Sequence, residues 1–285
     1  MLKKNIFRIV LILLLLCDIG YSFEQHRSQP LDGDLPWNVV PADEVIPILA
    51  DPFGWTVITQ KESYPNPNRY FSHITIKVWY EKVPLFLQRF VSPIESVYLA
   101  SAIFKILIQA LLIFLLAVAI SGTFRVFNID FLIAAILVTP FFQTEGYQSY
   151  MGIIDSAPTY VFFYAMPLAL LLICFLPLAL RFYHGKNYSY TPLQLLFWIP
   201  MGIVVSLSGP LNPGVVLIFS LLFFLVSFHE QYLLQPQKRF LNRMGCSVLQ
   251  TPRVFWRFLL PVSIFSLYSL FLGSFNSNNI AIPLP

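Results

Sequence analysis

Between residues 97 and 120 the chain runs almost wholly apolar, and Lys105 is the one charged side chain in it. A helix that long and apolar on all sides has no water-facing stripe, whereas crossing the hydrocarbon core of a bilayer takes about 20 such residues. Similar runs recur along the chain. Of its 285 residues 57% are hydrophobic and only 11% charged, with a mean hydropathy of +0.69. A soluble domain carries about a quarter charged residues, so this chain lacks the polar material to cover a water-exposed surface. The three cysteines, Cys17, Cys174 and Cys246, show neither metal nor redox spacing.

Three regions follow from the pattern. Residues 1–23 hold a basic start, MLKKNIFR, and then nine uncharged apolar residues closed by Asp18. With no small-residue cleavage site after it, this reads as a first transmembrane helix over 5–23 or a signal anchor. Residues 24–91 are rich in prolines, aromatics and acids and too polar to lie within a bilayer. Inside them, 69–90 has helical periodicity with Phe71, Ile74 and Val78 on one face, read as one or two interfacial helices broken at Pro84. Residues 92–285 form a six-helix transmembrane region. Ser92-Pro93-Ile94-Glu95 is a capping box that opens a helix running to about 120. Further spans are expected over 128–142, interrupted near Pro140, over 159–180, with kinks at Pro167 and Pro177, and over 192–207, 213–228 and 255–272. The expected fold is therefore all-α: a polytopic bundle of about seven spans with a long extracytoplasmic first loop.

Charge sets the orientation. With the N-terminus inside, the cytoplasmic segments hold Lys3, Lys4, Arg8, Arg125, Arg181, Lys186, Lys238, Arg239, Arg243, Arg253 and Arg257. The short outer loops 142–158 and 209–212 and the tail from Gly273 hold no Lys or Arg, as the positive-inside rule requires. This predicts a multi-pass protein of a bacterial inner (plasma) membrane with a cytoplasmic N-terminus. The cytoplasmic cations are explained by topology, and no basic-aromatic surface suits a nucleic acid.

Candidate chemistry gathers in the outer segments. Asp32-Gly33-Asp34 offers two carboxylates that can share a divalent cation, or act as a general base and its tuning neighbour, with Gly33 letting them converge; an Asp-Gly turn with solvated acids is the structural alternative. Arg69 and His73 flank the start of the expected interfacial helix, where a guanidinium fork and a helix N-terminus suit phosphate. Arg69 snorkelling to headgroups is the plainer reading. Lys105, deep in its helix, either reaches toward the outer surface or partners a phosphate. Asp130 sits where a helix N-terminus favours a carboxylate. Glu145 and Asp155 lie in the second outer loop, as loop acids or lining one pocket with Asp32 and Asp34. No G-x-S-x-G, H-E-x-x-H or P-loop pattern occurs.

On these features the chain resembles the GT-C class of integral-membrane glycosyltransferases. That class has a seven-helix module, an inside N-terminus, and a long first outer loop carrying a catalytic acid and two helices lying along the membrane. Asp32 and Asp34 stand at the acid's place and 69–90 at that of the membrane-lying helices. The resemblance implies inverting transfer from a polyprenyl-phosphate-linked sugar to an extracytoplasmic acceptor. Asp32 or Asp34 would act as base, with Arg69, His73, Lys105, Glu145 and Asp155 as substrate-binding residues. A divalent cation between Asp32 and Asp34 is left open. The other classes the residues allow are a non-catalytic membrane assembly protein, docking through its proline- and aromatic-rich loop, and a transporter.

Overall fold

Inside a bilayer every backbone N–H and C=O must be paired within the protein, which leaves helices as the simplest solution for these sequences. The computed structural model describes residues 2–142, 153–186, 191–237 and 239–277, and among these it contains helices and no β-strand. In chain order the helices are α1 (Leu2–Ser28), α2 (Leu35–Val39), α3 (Ile46–Ala50), α4 (Trp55–Gln60), α5 (Tyr70–Leu87) and α6 (Pro93–Ser121). They continue with α7 (Ile129–Val138), α8 (Pro158–Tyr160), α9 (Met166–His184), α10 (Pro192–Ser206), α11 (Asn212–Leu233), α12 (Phe240–Leu249) and α13 (Leu260–Gly273). Five helical stretches are long and apolar enough to cross a membrane: Lys3–Ser28, Pro93–Ser121, Pro158–His184, Asn212–Leu233 and Phe255–Gly273. The expected spans over 128–142 and 192–207 form shorter apolar helices, Ile129–Phe142 and Pro192–Ser206.

Two stretches of five residues are π-helical, Val161–Ala165 and Phe255–Leu259, and both have the same cause. Each lies just before a proline, Pro167 and Pro261, which brings no N–H to the ladder. The wider turn pairs Met166 N with Val161 O and Leu260 N with Phe255 O. The next carbonyl of the first π-turn, Phe162 O, would face the proline nitrogen. Ser72 Oγ donates to it instead at 2.9 Å.

The chain forms two compact units, one of residues 1–50 and 71–188, the other of residues 51–70 and 189–285. In the first, α6 is the central element, packed against α1, α7 and α9. Its core runs through Leu112, Ile113, Ala117 and Val118 to Phe131, Ala134 and Phe162. The start of α6 is fixed as the sequence predicts, with Ser92 Oγ accepting from Glu95 N at 3.3 Å and Pro93 in the first turn. Only half of the capping box forms, because the Glu95 carboxylate accepts from Arg27 at 2.9 Å. The end of α6 turns at Gly122, whose φ of +66° suits glycine, and His184 Nε2 donates to Ala119 O at 2.8 Å. In the second unit α13 packs on α10 and α11, and α11 on α12. A Cβ on Gly202 would come within 2.4 Å of Val262, so the glycine permits the close approach of α10 and α13.

Three sequence expectations need correction. The first helix is not limited to 5–23 but runs unbroken to Ser28. Pro84 does not break α5: it sits near the end, and Gln88 N still finds Pro84 O at 2.9 Å. The buried face of α5 is Ser72, His73, Ile76, Tyr80, Pro84 and Leu87, whereas Val78 faces out.

Candidate functional site

The acidic loop leaves α1 and makes a turn in which Leu35 N reaches Asp32 O at 3.4 Å. The backbone does not require glycine at position 33: its φ is not left-handed, and a Cβ added there would meet nothing within 4 Å. Asp32 turns inward. Its Oδ2 accepts from Thr159 N at 2.8 Å and its Oδ1 from Thr159 Oγ1 at 2.7 Å, at the first turn of the helix that begins with Pro158. Asp34 turns outward. It precedes α2 with α-type dihedrals, φ −83° and ψ −17°, which keep its carboxylate off the helix N–H groups it would otherwise cap. No hydrogen bond or ion pair reaches that exposed carboxylate among the described residues. Tyr160, one residue past Thr159, lies within electrostatic reach of both Asp34 and Asp32.

Asp155 serves the same helix start, accepting from Ala157 N at 2.7 Å. Two carboxylates thus sit at one N-terminus, where the unpaired N–H groups and the helix dipole favour negative charge. Between them lies Ser156, whose carbonyl accepts from Lys105 Nζ at 2.5 Å. Lys105 also donates to Gln29 Oε1 at 2.7 Å and is only 1% exposed, so it does not reach toward a surface. No carboxylate lies within 4 Å of its ammonium among the described residues, and Asp155 and Asp32 are the charges it feels. One turn further along α6, Gln109 accepts from His26 Nε2 at 2.9 Å and donates to Ser22 Oγ at 3.1 Å. Ser22, His26, Gln29, Lys105 and Gln109 are all buried, a continuous polar seam between α1 and α6. Gln29 Nε2 and His26 Nδ1 end the seam without a hydrogen-bond partner among the described residues.

Aromatic rings wall this region. Phe104 stacks on Phe162 with centroids 3.7 Å apart, and Trp79 meets Phe104 edge-on at 4.9 Å. Tyr80 bonds Ser101 Oγ through its hydroxyl at 2.6 Å. Burial, with a smaller push from Asp32 and against the Ser101 bond, raises the Tyr80 phenol above its ordinary pKa. It stays protonated and able to donate.

The seven residues singled out in the sequence therefore separate. Asp32, Lys105 and Asp155 meet at one helix start, with Asp34 on the same loop as Asp32. His73 is buried edge-on to Phe163, with centroids 4.8 Å apart, in the packing of the first unit. Arg69 is half-buried and belongs to the second unit, where its backbone N–H bonds Asn66 O at 3.0 Å. Glu145 lies outside the described residues. Asp130 is exposed at the start of α7, its N–H bonded to Asn128 Oδ1 at 2.8 Å. No group of three or more His, Cys, Asp or Glu that could hold a metal ion occurs among the described residues. Both oxygens of Asp32 are bound to Thr159, so the shared cation considered for Asp32 and Asp34 has one ligand already engaged.

Sequence reasoning missed Gln29, His26, Gln109 and Thr159. Lys105 and Gln109 stand four residues apart, a spacing that puts both on one helix face and could have signalled a polar stripe. Comparison with protein-family models, with curated proteins and with solved structures finds no match.

Proposed function

We propose that the chain is a membrane glycosyltransferase that moves a sugar from a polyprenyl-phosphate carrier to an acceptor hydroxyl on the extracytoplasmic side. In this reading the two shorter apolar helices join the five long ones as a seven-span module with a cytoplasmic N-terminus, in a bacterial inner membrane. The observation that carries it is the division of labour in Asp32-Gly33-Asp34: Asp32 is bound to Thr159 and Asp34 stands free and exposed. A general base needs an unengaged carboxylate held in a fixed place, and the Asp32 anchor supplies that fixity.

Asp34 takes the proton of the acceptor hydroxyl as its oxygen attacks the anomeric carbon. The bond from that carbon to the phosphate oxygen breaks, and the lipid phosphate leaves with the electron pair. The face of attack opposite the leaving group inverts the configuration. Lys105 does not touch substrate; it ties Gln29 and Ser156 together and so positions the acidic loop and the helix start.

The test is transfer from a synthetic polyprenyl-phosphate sugar by purified protein. Asp34→Asn should abolish turnover while leaving carrier binding and the unfolding midpoint as in the parent. Undiminished transfer by Asp34→Asn would overturn the assignment. A second reading, a non-catalytic assembly protein, draws on the exposure of Trp37 and Val40 beside Asp34. It is favoured if neither the sugar carrier nor the bare lipid phosphate binds.

A further inference from the structure

Helix α12 is amphipathic in the wrong sense for a helix in water. Phe240, Leu241, Met244 and Leu249 face outward, with Leu241 and Leu249 78% and 82% exposed; of the polar residues Asn242 is exposed beside them, while Arg243 and Ser247 are turned toward the protein. There Ser247 is fully buried and bonds Arg243 O at 2.7 Å. Arg243 lies over the Tyr232 ring at 3.6 Å and donates through Nε to Tyr232 O at 2.7 Å, which fastens α12 to the end of α11. The cation on the protein side is therefore spent on holding the helix, and on the apolar side Leu241 and Leu249 are left largely uncovered among the described residues.

Charge says what covers that face. Residues 229–257 contain Lys238, Arg239, Arg243, Arg253 and Arg257 against a single acid, Glu230. Arg239, Arg253 and Arg257 are exposed and form no ion pair among the described residues. Arg239 immediately precedes α12, Arg253 lies in the link that follows it, and Arg257 lies in the π-helical turn Phe255–Leu259 that leads into α13. An apolar helix face flanked by free arginines, linking two candidate membrane spans, matches one environment. That is the boundary between acyl chains and negatively charged headgroups.

We infer that α12 lies in the membrane surface and that Arg239, Arg253 and Arg257 form a binding surface for anionic phospholipid. The apolar side chains enter the upper acyl region, and the guanidinium forks take the headgroup phosphates. This holds whatever reaction the first unit performs.

The full chain reconstituted in nanodiscs of phosphatidylcholine, with or without phosphatidylglycerol, tests it. The unfolding midpoint should be higher in the anionic discs, and 1 M salt should remove the difference, since screening then acts within about 3 Å. The triple variant Arg239→Gln, Arg253→Gln, Arg257→Gln should show one midpoint in both lipids, equal to that of the parent in phosphatidylcholine. A parent with equal midpoints in both lipids overturns the inference, and if the triple variant does not fold, the salt experiment on the parent decides. Depth is read separately by a spin label on Leu241→Cys, with Cys17, Cys174 and Cys246 replaced by Ala. Relaxation by oxygen, and not by a water-soluble nickel chelate, is expected. Free access of the chelate, or shielding from both by a covering protein, overturns it.

Discussion

At the scale of single residues, what separates the two aspartates is where their oxygens go. Thr159 supplies Asp32 with two donors from one residue, so its side chain is an anchor for a loop that crosses from α1 to a distant helix start. Replacing it with Val keeps the size and removes the hydroxyl. Thr159→Val should cost about 1–3 kcal/mol, as expected when a half-buried charged acceptor loses a hydroxyl partner. Unfolding in mixed micelles checks the figure. On the proposed reading the same change should lower transfer more than it lowers carrier binding, because it loosens the base and not the substrate. The sequence showed the acidic pair but not this split. Hydrogen bonds between residues 127 positions apart leave no local trace, and a D-x-D spacing looks the same whether the acids cooperate or part.

Among the elements, helix starts were the most legible. Ser92, Pro93 and Glu95 announce α6, and Asn128 and Asp130 announce α7, because caps are written in adjacent residues. Thr191 and Gln194 form a full capping box at α10, a signal of the same kind that sequence reasoning missed. Prolines were read less well. Pro84 was expected to break a helix and is accommodated in its last turn, while Pro167 and Pro261 widen the turn before them into π geometry. Local sequence tells that an N–H is missing and not how neighbours make good the loss. The end of α6 offers a quantitative check. A Cβ at Gly122 would come within 2.7 Å of the His184 ring, at a left-handed φ. Gly122→Ala should therefore destabilise the first unit by about 1–3 kcal/mol, combining backbone strain with displacement of the His184 bond to Ala119. His184→Ala in the same background should relieve part of the loss, measured as a double-mutant cycle in the unfolding midpoint.

For the molecule as a whole, the all-helical membrane character was plain from composition and run length, since both are global properties that tertiary contacts do not alter. The count of long spans was less plain, because 128–142 and 192–207 are apolar but short. The proposed seven-span topology predicts opposite sides for two probes in one chain. A cysteine at Val40 should react with a membrane-impermeant maleimide in intact cells, and one at Arg125 only after permeabilisation. Equal labelling of both in intact cells would sink the orientation. The seam between α1 and α6 bears on how such a chain can be made at all. A lysine at the centre of an inserting helix costs about 2.5–3.5 kcal/mol, and Gln109 adds a second polar side chain to the same segment. Of the groups that receive them, Ser22, His26 and Gln29 belong to or directly follow the first helix, while the Ser156 carbonyl, the second acceptor of Lys105, comes after α6. The ribosome therefore delivers Gln29, one of the two acceptors of Lys105, before it delivers the charge. By the time α6 leaves the translocon, its partner is already in the lipid, and the order of the genetic text doubles as the order of assembly.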